Sequence, residues 1–177
     1  DDNLWIGTEG GGLNYYNRRT REFKWYRPQE GRNSISHNNV KALYYDADKE
    51  IIWIGTHLGG LNKLDIRSGH FTHYRMEEGN PNTLPSDIIR DIIPYKSLLI
   101  IATQNGVCLF DPANGQCQQL FKDSKEGKSI KMVADVTFDS EGTLWIAATG
   151  EGVFSYRFNT CKLTNYRHDA TNPNSLS

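Results

Sequence analysis

One short apolar block returns four times at a nearly constant interval. Leu4 to Thr8 reads LWIGT, Ile52 to Thr56 IWIGT, Leu99 to Thr103 LIIAT, and Leu144 to Thr149 LWIAAT, taken as one residue longer. The central positions Trp5, Trp53, Ile100 and Trp145 lie 48, 47 and 45 residues apart. A second marker keeps phase with the first: NSIS from Asn33, NTLP from Asn82, KSIK from Lys128 and NSLS from Asn174, at intervals of 49, 46 and 46. Two markers sharing one period make the chain an array of a single supersecondary unit, which restricts it to repeat architectures.

Each unit predicts four short strands. In the second copy these are Val40 to Tyr45, Ile51 to Thr56, Gly60 to Leu64 and Phe71 to Tyr74, rich in the β-branched and aromatic residues that suit a pleated surface. Turn formers separate them. Asp46 to Lys49 and Asp139 to Gly142 follow the first strand, glycine pairs and triplets (Gly10 to Gly12, Gly59-Gly60) follow the second, and Arg67 to Gly69 or Pro112 to Gly115 follow the third. Ser36 to Asn39 and Pro85 to Ile88 are each long enough for one helical turn, and no longer helical period exists.

Four-stranded antiparallel units of this length match the blades of a β-propeller. Both faces of a blade are covered by neighbours, so the LWIG strands need no polar alternation. A β-sandwich of two repeats per sheet is the competing fold, and the regular period disfavours it. The chain begins in the turn before a second strand and ends where another first strand would start. The expectation is therefore an all-β open arc of about 3.75 blades cut from a larger ring. Its divisions are a partial blade over 1–32 and blades over 33–81, 82–127 and 128–177. Such an arc would leave blade surface uncovered at both ends and would self-associate through it.

Composition narrows the function. With 20 basic and 21 acidic residues there is no basic excess to meet a nucleic acid. No run of 18 apolar residues could span a bilayer. Cys108, Cys117 and Cys161 are too few and too irregular for a disulfide framework or zinc site. Cys117 stands where other copies have Phe23, Phe71 and Leu163, and Cys108 where they have Asn14 and Asn62. An oxidising compartment would allow a Cys108–Cys117 bond across the third hairpin, although the spacing leaves open whether the two share a face. Gly10 to Gly12 lack the Lys-Ser/Thr and the helix of a phosphate loop. His70 and His73 fall on opposite faces of a strand, so no metal or other cofactor is implied.

The blocks LWIGT-x-GGGLNYY and IWIGT-x-LGGLNKLD, each following NSIS or NTLP and a Val/Ile strand, resemble the two-component regulator propeller repeat. The resemblance runs from Leu4 to Ser177 and is weakest in the third copy, where Ile100 and Ala102 replace Trp and Gly. It implies a seven-bladed propeller in the periplasmic sensor region of a hybrid two-component system of the Bacteroides kind. Such a region lies outside the inner membrane, anchored by a helix beyond this chain, and signals to a histidine kinase. The usual ligands of the family are glycan-derived oligosaccharides.

The motif positions Trp5, Trp53, Trp145, Gly7, Gly55, Thr8, Thr56, Thr103 and Thr149 then read as structural: indoles between blades, glycines for close packing, threonines bonding near strand ends. Residues beside that frame are the candidates for ligand contact. Glu9, His57 and Gln104 follow the strand-two threonines, Asn105 and Glu151 lie in the same turns, and His37 and Asn38 precede a first strand. The same seven residues also read as solvated loops. Three functions stay open: a non-catalytic ligand-sensing domain, a scaffold holding a receptor dimer, and a carbohydrate-active enzyme. Aromatic faces on a concave polar surface would favour the first over the second, and two carboxylates about 5 or 6.5–9.5 Å apart would favour the third.

Overall fold

A computed structural model describes residues 3–176; Asp1, Asp2 and Ser177, at the outer bounds of the first and last repeat, lie outside them. The described residues form fifteen strands in four antiparallel sheets. Sheet one holds β1 (Leu4–Thr8), β2 (Gly12–Asn17) and β3 (Glu22–Tyr26). Sheet two holds β4 (Val40–Asp46), β5 (Ile51–Thr56), β6 (Leu61–Asp65) and β7 (His70–Tyr74). Sheet three holds β8 (Ile89–Tyr95), β9 (Leu98–Thr103), β10 (Gly106–Phe110) and β11 (Cys117–Gln119). Sheet four holds β12 (Val133–Phe138), β13 (Leu144–Ala148), β14 (Gly152–Arg157) and β15 (Lys162–Tyr166). Within each sheet the strands pair in chain order, and the first strands β4, β8 and β12 run beside one another. The result is an open, propeller-like stack rather than a two-sheet sandwich.

Alternation along the second strands sorts side chains into the three seams. Ile52 and Ile54 of β5 pack with Leu13, Ile35, Leu64 and Phe71 in the seam between sheets one and two. Trp53, pointing the other way, joins Ile92, Ile101 and Phe110 in the next seam. Ile100 and Ala102 of β9 meet Val133, Ile146 and Phe154 in the third. Sheets two and three thus bury both faces against neighbours, which is why β5 and β9 read as continuous apolar runs. Ile35, Leu84 and Ile130 carry the linkers between sheets into the same seams.

Three indoles repeat one arrangement. Trp5 lies 5.8 Å from Tyr26, Trp53 5.9 Å from Tyr74 and Trp145 5.6 Å from Tyr166, with ring planes tilted by 34–35°. The tyrosine closes the outer strand of the same sheet, so each pair clamps strand two to strand four over one face. Trp53 is buried at 2% exposure because Phe110 of the next sheet meets it edge-on at 5.3 Å. Gly55 explains how that sheet comes so close: a Cβ there would sit 2.5 Å from Ile89 Cγ2, and one at Gly7 2.6 Å from Val40 Cγ1. In the turns, Gly12, Gly60 and Gly152 share positive φ, and a Cβ would strike the carbonyl of Tyr26, Tyr74 or Tyr166 at 2.2–2.3 Å.

Two local expectations change. Ser36 to Asn39 and Pro85 to Ile88 form bends, not helical turns. Their carbonyls are committed to neighbouring strand edges: Asn38 O accepts from Gly12 N, Asn39 O from His57 N, Asp87 O from Gly60 N and Ile88 O from Gln104 N. Among the described residues a single 3-10 turn, Gly127–Ser129, stands instead in the third linker. The fourth copy also needs no extra residue. Register sets Ala147 opposite Val153 and Ala148 opposite Gly152, as Gly7 and Thr8 stand to Leu13 and Gly12. Ala148 is therefore the counterpart of Thr8, Thr56 and Thr103, whose hydroxyls each donate to a turn carbonyl at 2.9 Å. Thr149 lies one residue beyond the strand.

Candidate functional site

The second strands end, and the first strands begin, at the same end of the stack. Each first strand carries a bulge there, between Val40 and Ala42, Ile89 and Asp91, and Val133 and Asp135. A bulge re-aims the extra residue, here Lys41, Arg90 and Ala134. Lys41 ion-pairs with Glu9 across the first seam. Arg90 Nη2 donates to Gln104 Oε1 at 2.7 Å. His57 and His37 face each other edge-on with ring centroids 6.5 Å apart. Thr149 holds the corresponding place in sheet four, its N–H donating to Met132 O at 3.1 Å as those of His57 and Gln104 do to Asn39 and Ile88. Two buried polar atoms in this region, Asn38 Oδ1 and His57 Nδ1, have no protein partner.

The remaining candidates point elsewhere. The Asn105 side chain donates to Pro85 O at 3.4 Å while its own carbonyl accepts from Gln119 Nε2. Glu151 ion-pairs with Arg167 beyond the end of β15. Glu9, His37, Asn38, His57 and Gln104, with Thr149, thus lie at this end of the stack in separate contacts, Glu9 with Lys41, His37 with His57 and Gln104 with Arg90, while Asn105 and Glu151 make other bonds.

Sequence reasoning missed two features. The first is a pair of neighbouring carboxylates, Asp91 on β8 and Asp135 on β12, where Asp91 Oδ2 also accepts from Val136 N at 3.4 Å. Burial and the neighbouring Asp135 carboxyl raise the Asp91 pKa to about 6, against backbone donation from Ile92 and Val136. Both residues follow a bulge, and the corresponding residue in sheet two is Ala42; that shared offset was the signal available in the sequence. By contrast the turn acids are locally occupied: Asp46 is held below its ordinary range by the Lys49 ammonium, and Asp139 by the Trp145 indole N–H at 2.8 Å.

The second missed feature is a cleft of about 600 Å³ in the seam between sheets one and two. Trp5, Tyr15, Tyr26 and Tyr45 line it with Asn3, Lys24 and Glu50. Leu64, at the register position that Phe110 holds in the next sheet, leaves the Trp5 ring half-exposed where Trp53 is closed over. Among the described residues no group of three or more His, Cys, Asp or Glu could hold a metal ion, and no helix is long and apolar enough to cross a membrane.

Residues 34–57, from the first linker through the mouth and β5, match the family model for the two component regulator propeller. Comparison with curated proteins finds no match. Among solved structures, the chain is similar to the extracellular domain of BT3049 from B. thetaiotaomicron, described as a hybrid two component system, with 26% identity over 92% of this chain and a TM-score of 0.75. The extracellular domain of BT4673 from the same organism is similar in fold at 20% identity over 99% of this chain, with a TM-score of 0.77. A second structure of that domain, described as a one component system, gives 21% and 0.77. The chain spans only 21–22% of the length of these three. One repeat matching that family model, at residues 34–57, therefore stands within a propeller-like stack that is similar over 92% of this chain to the extracellular domain of BT3049.

Proposed function

We propose that this chain is a non-catalytic part of the sensor region of a hybrid two-component system. The region would stand on the periplasmic side of the inner membrane, recognise glycan-derived oligosaccharides and signal to a histidine kinase elsewhere in the protein. The observation that carries this reading is the similarity to the BT3049 extracellular domain over 92% of the chain. In this reading the four sheets are an arc of about 3.75 blades, divided at 32/33, 81/82 and 127/128, of a seven-bladed ring. The sensing reading is favoured over a pure scaffold by the aromatic cleft. It offers half-exposed Trp5 and exposed Tyr45 beside Lys24, Glu50 and Asn3, the concave mixture of ring faces and hydrogen-bonding groups that a neutral sugar needs. The mouth set Glu9, His37, Asn38, His57, Gln104 and Thr149 is the alternative contact surface.

The scaffold reading draws on a different observation. Trp145 and Tyr166 repeat the geometry of Trp53 and Tyr74 on a face that no further sheet among the described residues covers. Phe23 and Trp25, each 60% exposed, mark the opposite outer face. Self-association through these faces is the corresponding expectation, and light scattering across a concentration series reads it. For ligand binding, calorimetric titration against plant and host oligosaccharides is the test. Binding lost in Tyr45→Ala assigns the cleft, and binding lost in His57→Ala assigns the mouth. Turnover of any oligosaccharide, abolished by Asp91→Asn, would overturn the non-catalytic reading.

A further inference from the structure

We propose that Cys108 and Cys117 are a covalent modification site, closing into an intramolecular disulfide that pins β11 to β10. The two Sγ atoms lie 3.3 Å apart, and both residues sit in the core of the seam between sheets two and three. Register explains the approach. Phe110 stands opposite Cys117 and Cys108 opposite Gln119, so the cysteines are diagonal neighbours on one face of the hairpin. A bond of about 2.05 Å requires the sulfurs to close the remaining gap of little more than an ångström. Cys161 is exposed at a turn after β14 and belongs to no such pair.

What the pair replaces gives the bond a purpose. In sheet two the counterpart of Cys108 is Asn62, whose side chain accepts from Ser36 N at 2.8 Å and donates to Ser36 Oγ at 2.8 Å, tying the linker to the sheet. The counterpart of Cys117 is Phe71, a core ring. Sheet three lacks the ring and lacks a bond from the Cys108 side chain to its linker, which is held instead by Asn105 Nδ2 on Pro85 O and Cys117 N on Asn82 O. Its outer strand is also the shortest, with three register pairs where the other outer strands have five. A cross-link at this place compensates the missing ring and the short ladder.

The step is an exchange with a disulfide oxidant, glutathione disulfide or a thiol–disulfide oxidoreductase. One cysteine thiolate attacks the oxidant and expels a thiol, and the second cysteine attacks the mixed disulfide and expels the other. The two cysteines are oxidised by two electrons, and two protons leave with the two reduced thiols. Burial and the adjacent Cys117 sulfur push the Cys108 thiol upward, so little thiolate exists in the folded chain. Closure therefore belongs to folding, before the seam shuts. Its occurrence in the cell rests on the extracytoplasmic reading above, where such oxidants act; its occurrence in the test tube does not.

The chain carrying Cys161→Ser is unfolded in denaturant with reductant, then refolded in a glutathione redox buffer. The expected product is about 2 Da lighter than the reduced chain. It has no thiol titratable in denaturant, and peptide mapping joins Cys108 to Cys117. Reduction is expected to lower Tm by several degrees. Adding Cys117→Phe, which restores the residue found at Phe71, removes the mass change and the reductant sensitivity. Two free thiols after oxidative refolding, or glutathione attached at either cysteine in place of the cross-link, would overturn the proposal. These outcomes are read on Cys161→Ser alone if the second variant does not fold.

Discussion

At the residue scale, the repeated block is a packing code in which each position answers to a different neighbour. Gly55 lacks a side chain because Ile89 of the next sheet occupies that space. Gly55→Ala is expected to destabilise the domain by about 1–3 kcal/mol through overpacking, read as a lower urea midpoint at unchanged m-value. The third copy tolerates Ala102 at the same position because it packs fully buried in the seam with Ile130 and Val133. The indoles differ as their surroundings do. Trp53→Ala is expected to cost about 3–5 kcal/mol, as for a fully enclosed aromatic. Trp145→Ala should cost less than about 2 kcal/mol, because its face is half-open and its main tie is the Asp139 bond. Equal costs in chemical denaturation would show that the seam around Trp53 is not what stabilises it. The residue-scale frame was legible where a side chain packs on its own strand's period: Trp5, Trp53, Gly7 and Gly55. The partners Tyr26, Tyr74 and Tyr166 were not, because they lie about twenty residues downstream and are brought over the indoles only by strand pairing.

At the element scale, the first strands β4, β8 and β12 matter most, since they meet their neighbours along their length. The Asp91–Asp135 contact sits in this zone, and it makes stability depend on pH in a defined direction. Unfolded, Asp91 titrates near its ordinary 3.8; folded, near 6. Between those values the folded chain holds a proton that the unfolded chain has released, so the contribution of Asp91 to stability is fully present below about pH 4 and is lost as pH rises through 6. Asp46, Asp65, Asp139 and Asp169 are shifted downward and act with the opposite sign, at lower pH. The clean measurement is therefore the difference between wild type and Asp91→Asn. Urea midpoints should favour the variant at pH 7.5, where the buried Asp91 carboxylate is charged, and converge by pH 4. The strands themselves were legible: the second copy's expected limits differ by a residue or so from Val40–Asp46, Ile51–Thr56, Leu61–Asp65 and His70–Tyr74. The bulges were not, and with them went the carboxylate pair and the basic residues Lys41 and Arg90. A bulge is one unpaired residue, and nothing in side-chain periodicity announces it. The fourth copy shows the opposite hazard: matching Thr149 to the motif threonine inserted a residue that the strand register does not contain.

At the scale of the whole molecule, apolar burial is divided among three separate clusters, one per seam, and each sheet is held only by its immediate neighbours. Sheets two and three are held on both sides; in this chain sheets one and four are held on one. Such an array behaves as a row of coupled units whose end members can detach without the others. The consequence is a gradient in backbone amide exchange. Protons in β5 and β9 should persist until global unfolding, whereas those in β2 and β14, although hydrogen-bonded in comparable ladders, should exchange through openings that release one outer sheet at a time. Mild urea should accelerate β5 and β9 steeply and the outer sheets weakly, because peeling one sheet exposes far less surface than melting all four.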